Sequence, residues 1–295
     1  MKQIVVVSGK GGSGKTFVSS SFAALAENTV FADCDVDAAN LHIMLQPTEG
    51  DCESFVSGHA AVVDPARCTS CGACEEACRF GAISLATPLH RATVDPIACE
   101  GCGVCALVCQ ADAISMVAQE RGRWCRSRTR FGPLVHAHLE PGEENSGKLV
   151  DQVRRAASAV AAETDAELVL IDGPPGTGCA AKSAVTGTDY VLVVAEPTLS
   201  GIHDAERVLR LAAHFGIPVG LVVNNADLSP HHTEALRALA RDRSLDYLGE
   251  IPFSRSVPEA LTRLEPYPLR EPDRVTEELD RIWTAVRDAA AAATA

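Results

Sequence analysis

The stretch Ser8-Gly9-Lys10-Gly11-Gly12-Ser13-Gly14-Lys15-Thr16 directly follows the apolar run Ile4-Val5-Val6-Val7. From Gly9 to Thr16 it fits G-x-x-x-x-G-K-[ST], a pattern whose chemistry is phosphate binding. Its glycines let the backbone turn tightly, so that successive N–H groups, including those of Gly11, Gly12, Ser13 and Gly14, point at phosphate oxygens. Lys15 is placed to reach the β- and γ-phosphates, and the Thr16 hydroxyl to ligate Mg²⁺. A helix beginning here adds the positive end of its dipole. Two acidic groups complete the set. Asp33, Asp35 and Asp37 alternate just past the apolar run Val30-Phe31-Ala32, and Asp172 ends the run Leu168-Val169-Leu170-Ile171. Carboxylates at such strand ends suit a metal and a positioned water beside the phosphates, with Asp33 and Asp172 as Mg²⁺ ligands. The Gly/Pro-rich turn from Gly173 to Gly178 can change shape with the presence of a γ-phosphate.

Cysteines form the second constellation. Cys68, Cys71, Cys74 and Cys78 read C-x₂-C-x₂-C-x₃-C, and Cys99, Cys102, Cys105 and Cys109 repeat the spacing 31 residues on. The flanks repeat too: Val63-Asp64-Pro65 returns as Val94-Asp95-Pro96, and Ala82-Ile83-Ser84 as Ala113-Ile114-Ser115. This is the bacterial-ferredoxin spacing, in which the fourth cysteine of each run serves the other cluster. It predicts one [4Fe-4S] cluster on Cys68, Cys71, Cys74 and Cys109, and a second on Cys99, Cys102, Cys105 and Cys78. Zinc is the alternative, since paired C-x₂-C units also make zinc sites. The close trio of cysteines favours the cluster. One departure is local: the pattern ends in proline, whereas Arg79 and Gln110 follow the fourth cysteines here.

The elements that must position these groups follow from the hydrophobic pattern. Val18, Phe22 and Leu25 recur at helical spacing after the phosphate loop. Residues 46–61 read as a connection, and Pro133 to Leu139 alternates like a strand with His136 and His138 on one face. A helix is expected over 145–162. Strands at about 190–195, 218–223 and 246–250 then interleave with helices at 201–215, 232–242, 256–264 and 273–292. This is the βα pattern of a parallel sheet covered on both faces. The expected fold is α/β, a mostly parallel doubly wound P-loop sheet with a small inserted α+β, ferredoxin-like domain. The boundaries are 1–61 and 119–295 for the discontinuous nucleotide domain and 62–118 for the insert. So small an insert buries little core, so its clusters would act as staples.

Composition bounds the rest. The chain has 295 residues, a net charge of −13 and 12 cysteines. The acidic balance disfavours nucleic acid and anionic membrane as partners. No apolar run approaches the ~20 residues that span a bilayer. The chain enters a strand at once, so the expectation is a cytoplasmic protein without a secretory leader. Clustered cysteines in such a setting favour metal or redox sites over a disulfide framework. Asn224 closes the strand Val219 to Val223, where its amide could read an adenine edge or serve as a plain turn residue.

These motifs resemble the deviant Walker A ATPases of the MinD/ParA/Mrp/nitrogenase-iron-protein class. In detail they are similar to those MinD-type members that carry an inserted ferredoxin domain. The resemblance implies ATP and Mg²⁺ as ligands and a homodimer, or a dimer with a paralogue. Lys10 matches the signature lysine that reaches the partner subunit's nucleotide. Asp33-x-Asp35 resembles the class's first switch, with Asp35 at the position that orients or activates the attacking water, and Asp172 begins a stretch that resembles the second switch. Asn224 matches the adenine-contacting asparagine, and Ile251-Pro252-Phe253 resembles a base-lining loop. Catalysis would then rest on Lys10, Lys15, Asp35 and Asp172. Cys179 matches a bridging-cluster ligand of the iron protein, although no second ligand accompanies it.

The leading functional expectation is that ATP-dependent dimerisation gates electron transfer through the two clusters to a redox or acceptor protein. An ATP-dependent iron–sulfur carrier or assembly scaffold is the alternative, and a MinD/ParA-like positioning ATPase ranks last. That last reading needs a membrane-binding helix or a basic face, which the acidic balance and the C-terminal helix do not supply.

Overall fold

Apolar runs without alternation make strands buried on both faces, and such runs recur through this chain. The computed structural model describes residues 1–86, 91–140, 146–270 and 272–293. In chain order its elements are β1 (Lys2–Ser8), α1 (Lys15–Leu25), β2 (Thr29–Asp33), α2 (Leu41–Leu45), β3 (Glu49–Val63), α3 (Ala73–Ala77), β4 (Ile83–Ala86), β5 (Arg91–Val94), α4 (Val104–Val108), β6 (Ile114–Thr129), β7 (Gly132–Leu139), α5 (Ser146–Glu163), β8 (Leu168–Pro175), α6 (Cys179–Val185), β9 (Tyr190–Ala195), α7 (Leu199–His214), β10 (Val219–Asn224), α8 (Pro230–Asp242), β11 (Asp246–Ile251), α9 (Ser256–Thr262) and α10 (Arg274–Ala292).

The main sheet has the order β11-β10-β9-β1-β8-β2-β7-β6-β3. From β11 to β7 every pairing is parallel. The architecture is therefore α/β with a large, mostly parallel sheet. Because these pairings are parallel, the carboxyl ends of β1, β2, β8, β9, β10 and β11 lie along one edge, and the chain order switches direction at β1, between β8 and β9. Ligand chemistry in open α/β sheets belongs at that edge, where the strand order reverses.

Helices appear where apolar spacing calls for them. On one side of the sheet Val18 and Phe22 of α1 join Val275, Leu279, Ile282, Trp283 and Val286 of α10 in the core. The Phe22 and Trp283 rings lie 4.9 Å apart. The C-terminal helix is thus committed to the core by its apolar stripe. Among the described residues no helix is long and apolar enough to cross a membrane.

The passage 46–61, expected as a connection, is different: α2 ends at Leu45 and β3 occupies Glu49–Val63. Its sequence, with Gly50, Gly58 and scattered acids, has no strand periodicity of its own. Pairing with the long strand β6 imposes the extended form. Thr48 N donates to Arg128 O at 3.0 Å, and Cys52 is disulfide-bonded to Cys125, so the two strands run in opposite directions. That disulfide departs from the expectation of metal or redox cysteines alone: Cys52 and Cys125 are 73 residues apart and meet only through the pairing of β3 with β6.

Two compact units emerge. One comprises Met1–Glu53, Trp124–Leu139 and the described residues from Ser146 onward; the other comprises the described residues of Ser54–Arg123 with Glu140. Within the second unit the repeat is visible in the backbone. Asp64 N donates to Ala113 O at 2.7 Å, and the repeat-related Asp95 N donates to Ala82 O at 2.8 Å. Its core is small: Ala61, Cys74, Ile83, Ala92 and Cys105.

Truncating the α1–α10 contact should be felt globally. Phe22→Ala is expected to lower unfolding free energy by about 3–5 kcal/mol, the usual cost of deleting a buried aromatic. Urea unfolding followed by far-UV circular dichroism checks this; an unchanged midpoint would show that the contact is not part of the core.

Candidate functional site

The phosphate loop follows β1, and α1 begins at Lys15 with Gly14 as its left-handed N-cap, φ 89°. Two loop glycines are forced by close approach. A Cβ on Gly14 would lie 2.2 Å from Asn224 Nδ2, and one on Gly9 would lie 2.4 Å from Asp204 of α7. Asn224 itself is buried and donates from Nδ2 to Ser13 O at 3.0 Å. It therefore braces the loop from the end of β10. Ser8 Oγ donates to Lys10 O at 2.9 Å and closes the loop from the other side.

Lys15 is 6 % exposed and lies between two strand ends. Its Nζ is 3.0 Å from Asp172 Oδ1 and 3.4 Å from Asp35 Oδ2. Asp172 is fully buried and also accepts from Thr16 Oγ1 at 2.9 Å and Ser19 Oγ at 2.8 Å. Burial alone would depress Lys15, but the facing carboxylates of Asp172 and Asp35 outweigh it and hold the ammonium above its ordinary range. Burial pushes the carboxyl of Asp172 up, with Lys15 offsetting only part. The same competition places Asp35 at about 6.

Of the alternating acids, Asp33 and Asp35 are buried and Asp37 is exposed. The Asp33 carboxylate accepts from the peptide N–H groups of Asp35 at 3.3 Å, Leu41 at 3.0 Å and His42 at 3.3 Å. It thus pins the start of α2, while Asp35 and Asp172 face Lys15.

The residues fit a magnesium–nucleotide complex. Two buried carboxylates, Asp35 and Asp172, face one ammonium, and the buried Asp33 adds to the field, an excess of negative charge that suits a divalent cation. The hydroxyl of Thr16 and the carboxylate of Asp172 are hard oxygen donors already side by side. In the loop, Ser13 Oγ is buried without a hydrogen-bond partner, as a group awaiting a phosphate oxygen would be.

Lys10 points elsewhere. Its Nζ lies 3.4 Å from Glu196 Oε2 and 3.2 Å from Ser200 Oγ, partly exposed and outside the Lys15 cage. Pro252 follows β11, and the next residue, Phe253, donates its N–H to Asp227 Oδ1 at 2.7 Å, tying the loops after β10 and β11 together. Residues missed in the sequence are Ser19, Glu196, Ser200 and Asp204. Only Ser19 had a signal: it lies three residues beyond Thr16, one helical turn along the same face.

In the second unit, Cys68, Cys71, Cys74 and Cys109 line one small cavity. Cys78, Cys99, Cys102 and Cys105 line another. The crossed sets are thus brought together, with Val63, Leu85, Ile114 and Met116 among the surrounding apolar residues. Ala113 N donates to Cys109 Sγ at 3.3 Å. Peptide groups of Ala92 and Ser70 hold the Cys68 thiol below its ordinary range. Even so, among the described residues no group of three or more His, Cys, Asp or Glu is arranged to hold a metal ion. Cys34 is a buried core thiol that burial pushes far up, and Cys179 is exposed at the start of α6.

Comparison with known proteins gives these features a setting. Residues 4–267 match the family model described as the CobQ/CobB/MinD/ParA nucleotide binding domain. The uncharacterised protein MJ0578 of Methanocaldococcus jannaschii is 35% identical over 230 residues, covering 77% of this chain and 79% of that protein. The septum site-determining protein MinD of Bacillus subtilis is 28% identical over 155 residues, 50% of this chain and 56% of its own length. Among solved structures, MinD of Pyrococcus horikoshii complexed with Mg-ADP superposes with a TM-score of 0.59 at 16% identity, covering 99% and 98% of the two chains. At that identity the likeness carries the fold.

These findings overturn the leading functional expectation. Relatives with a stated role include MinD proteins, and MinD and McdA are among the similar folds. They favour the reading that was ranked last, a MinD/ParA-like ATPase, over ATP-gated electron transfer through clusters. The physical reason is that two modules sharing one chain are not thereby coupled, since co-occurrence is not a coupling interaction.

The bracing of the loop by Asn224 yields a test. Gly14→Ala should weaken nucleotide affinity at least tenfold, about 1.4 kcal/mol. Adding Asn224→Ala should recover part of the loss by removing the atom that the new methyl meets. Titration with a fluorescent ATP analogue reads both; an affinity for Gly14→Ala equal to the parent would refute the steric account.

Proposed function

The chain belongs to the CobQ/CobB/MinD/ParA nucleotide-binding family, and from that premise we propose that it is a MinD/ParA-like Mg-ATPase switch working as a homodimer or with a paralogue. The observation that carries this reading is the charge cage at the converging strand ends, where Lys15 bridges Asp172 and Asp35. When ATP binds, Lys15 turns from the carboxylates to the β- and γ-phosphates, and the loop N–H groups from Gly9 to Thr16 enclose them. Thr16 and Asp172 would hold Mg²⁺, which supplies the positive charge that neutralises the phosphates. Asp33 anchors the start of α2 and so sets where the metal-side loop lies. Asp35, its carboxyl raised by burial, is suited to accept a proton from the attacking water. Asn224 and the Pro252 loop border the base.

Lys10 supports the dimer. It is held by Glu196 and Ser200 at the surface rather than in its own cage, so it is available to a second subunit's phosphates. ATP then favours the paired state, and hydrolysis releases it. Partner proteins would read that difference in assembly.

A second proposal concerns the insert, taken as 62–118. The two cavities lined by crossed cysteine sets favour two [4Fe-4S] clusters as its metal content. A cubane spreads its four ligands over the corners of a cube, wider than the shell of a single ion, which fits cysteines that frame a cavity without forming a mononuclear site. Here the clusters serve as staples for a unit with little core.

Lys15→Ala should cut ATP hydrolysis by about 100-fold or more, the scale on which removal of a key electrostatic group acts. Lys10→Ala should retain nucleotide binding in the monomer but lose ATP-driven pairing. Sedimentation with a non-hydrolysable analogue separates the two, and an unchanged Lys10→Ala dimer would defeat the trans role. For the insert, anaerobic purification should give about eight irons and eight sulfides per chain, on the two-cluster count. One zinc per cysteine set instead would replace the cluster assignment.

A further inference from the structure

Outside the nucleotide site the structure pairs two of the scattered cysteines: Cys52 on β3 and Cys125 on β6, with Cα atoms 4.1 Å apart and 73 residues of separation. Cys52 is exposed and Cys125 half-buried. Both belong to the first compact unit, on the outermost strand pair of its sheet. We infer that Cys52 and Cys125 form a reversible thiol–disulfide site for small-molecule disulfides, and that its state is transmitted to the first switch through Ser127, His136 and His42.

The path runs through neighbouring residues of adjacent elements. Two residues before Cys52, Gly50 lies against β6 so closely that a Cβ would sit 2.2 Å from Ser127 Oγ. Ser127 Oγ hydrogen-bonds His136 Nε2 on β7 at 3.0 Å. The His136 ring stacks on His42 of α2, centroids 5.2 Å apart and planes within 6°. His42 Nδ1 is 3.7 Å from Asp33 Oδ2, the carboxylate that also accepts from the Leu41 and His42 peptides. Every member lies in the first unit. The bistable element is the edge strand. With the bond closed, β3 is clamped over Ser127; with two thiols, only weaker contacts hold that segment. Edge strands and their ends open more readily than central ones.

The chemistry balances without any further group. A thiolate at the exposed Cys52 attacks a low-molecular-weight disulfide such as oxidised glutathione, giving a mixed disulfide and one released thiolate. The Cys125 thiolate then attacks the Cys52 sulfur and expels the second. Overall, two cysteine thiols and one external disulfide become one internal disulfide and two external thiols. The reverse exchange with excess thiol restores the dithiol. Disulfides that turn over in this way are typically exposed, as the Cys52 side of this one is.

The experiment uses the full chain equilibrated in glutathione buffers of graded ratio, quenched in acid, alkylated under denaturing conditions and mapped by peptide mass spectrometry. The linked Cys52–Cys125 peptide should interconvert with the two alkylated peptides, and return when the ratio is reversed. If both cysteines stay alkylated at every ratio, no site exists; if the link survives the most reducing buffer, it is a permanent staple. Either result overturns the inference.

Coupling is read on the same samples by hydrogen exchange over residues 33–45, which requires no nucleotide. Exchange there should slow on oxidation in the parent, but not in Cys52→Ser. Ser127→Ala should still form the bond while losing the response. An equal response in Cys52→Ser, or none in a fully oxidised parent, would refute transmission. The further expectation, that ATP turnover differs by at least about fivefold between the two forms, the low end of ordinary coupling, rests on the switch reading above. If the chain hydrolyses no ATP, that reading fails while the peptide map and exchange data still decide this one. Cys52→Ser retains all eight clustered cysteines, so oxidative damage to them would affect both proteins alike.

Discussion

One buried ammonium holds the nucleotide site in its present form. Lys15 lies between Asp172 and Asp35, and Asp33 is the register partner of Asp172 on the neighbouring strand. Leaving such a charge without a partner costs about 3–5 kcal/mol, so the cage cannot simply open. On the proposed ATPase reading, phosphate would replace the carboxylates as partner of Lys15, and a cation would replace Lys15 as partner of Asp172. Nucleotide and metal binding would then be mutually dependent, since neither exchange is favourable while the other side is left uncompensated. The parallel sheet serves this one requirement. Residues distant in sequence reach the cage because β1, β2 and β8 are adjacent and end at the same edge.

The same contact explains why so much of the site was legible in the sequence. Phosphate binding needs a fixed spacing of glycine, lysine and threonine, and the metal-side acids must follow apolar strands. Both constraints are local and leave a local pattern. The strands near 190–195, 218–223 and 246–250 were equally readable, since double burial demands unbroken apolar runs, and the observed β9, β10 and β11 agree to within a residue. Illegible features were those that a partner element imposes. Glu49–Val63 is a strand because β6 lies beside it, not because its residues prefer to extend. Likewise the Asn224 brace on Ser13 depends on a separation of 211 residues. No propensity or spacing encodes such a meeting.

Asn224 also shows how one residue type can answer two constraints. From its sequence position an adenine contact or a turn were open readings. The structure places its amide against the phosphate loop, where it satisfies the Ser13 carbonyl and requires a glycine at position 14. Loop shape at the phosphates is therefore tied to the end of β10. The neighbouring bond from Phe253 N to Asp227 ties β10's loop to that of β11. The end of β10 is thereby anchored twice, through Asn224 to the phosphate loop and through Asp227 to the loop after β11.

At the opposite side of the sheet the constraint is different. Beyond β7 the sheet continues into two long strands, and β3 is its terminal edge. An edge of that length is a ready template for unwanted pairing unless something blunts it. Here exposed acids, Asp51 and Glu53, and the adjacent disulfide occupy the stretch nearest β7. A covalent bond is an effective way to hold an edge strand whose own sequence has little preference for extension. It also removes freedom that the strand would otherwise keep, which is why its chemical state matters to the residues beneath it. Ser127 contacts Gly50 on one side and His136 on the other, so the solution to the edge problem and the position of the first switch share an atom.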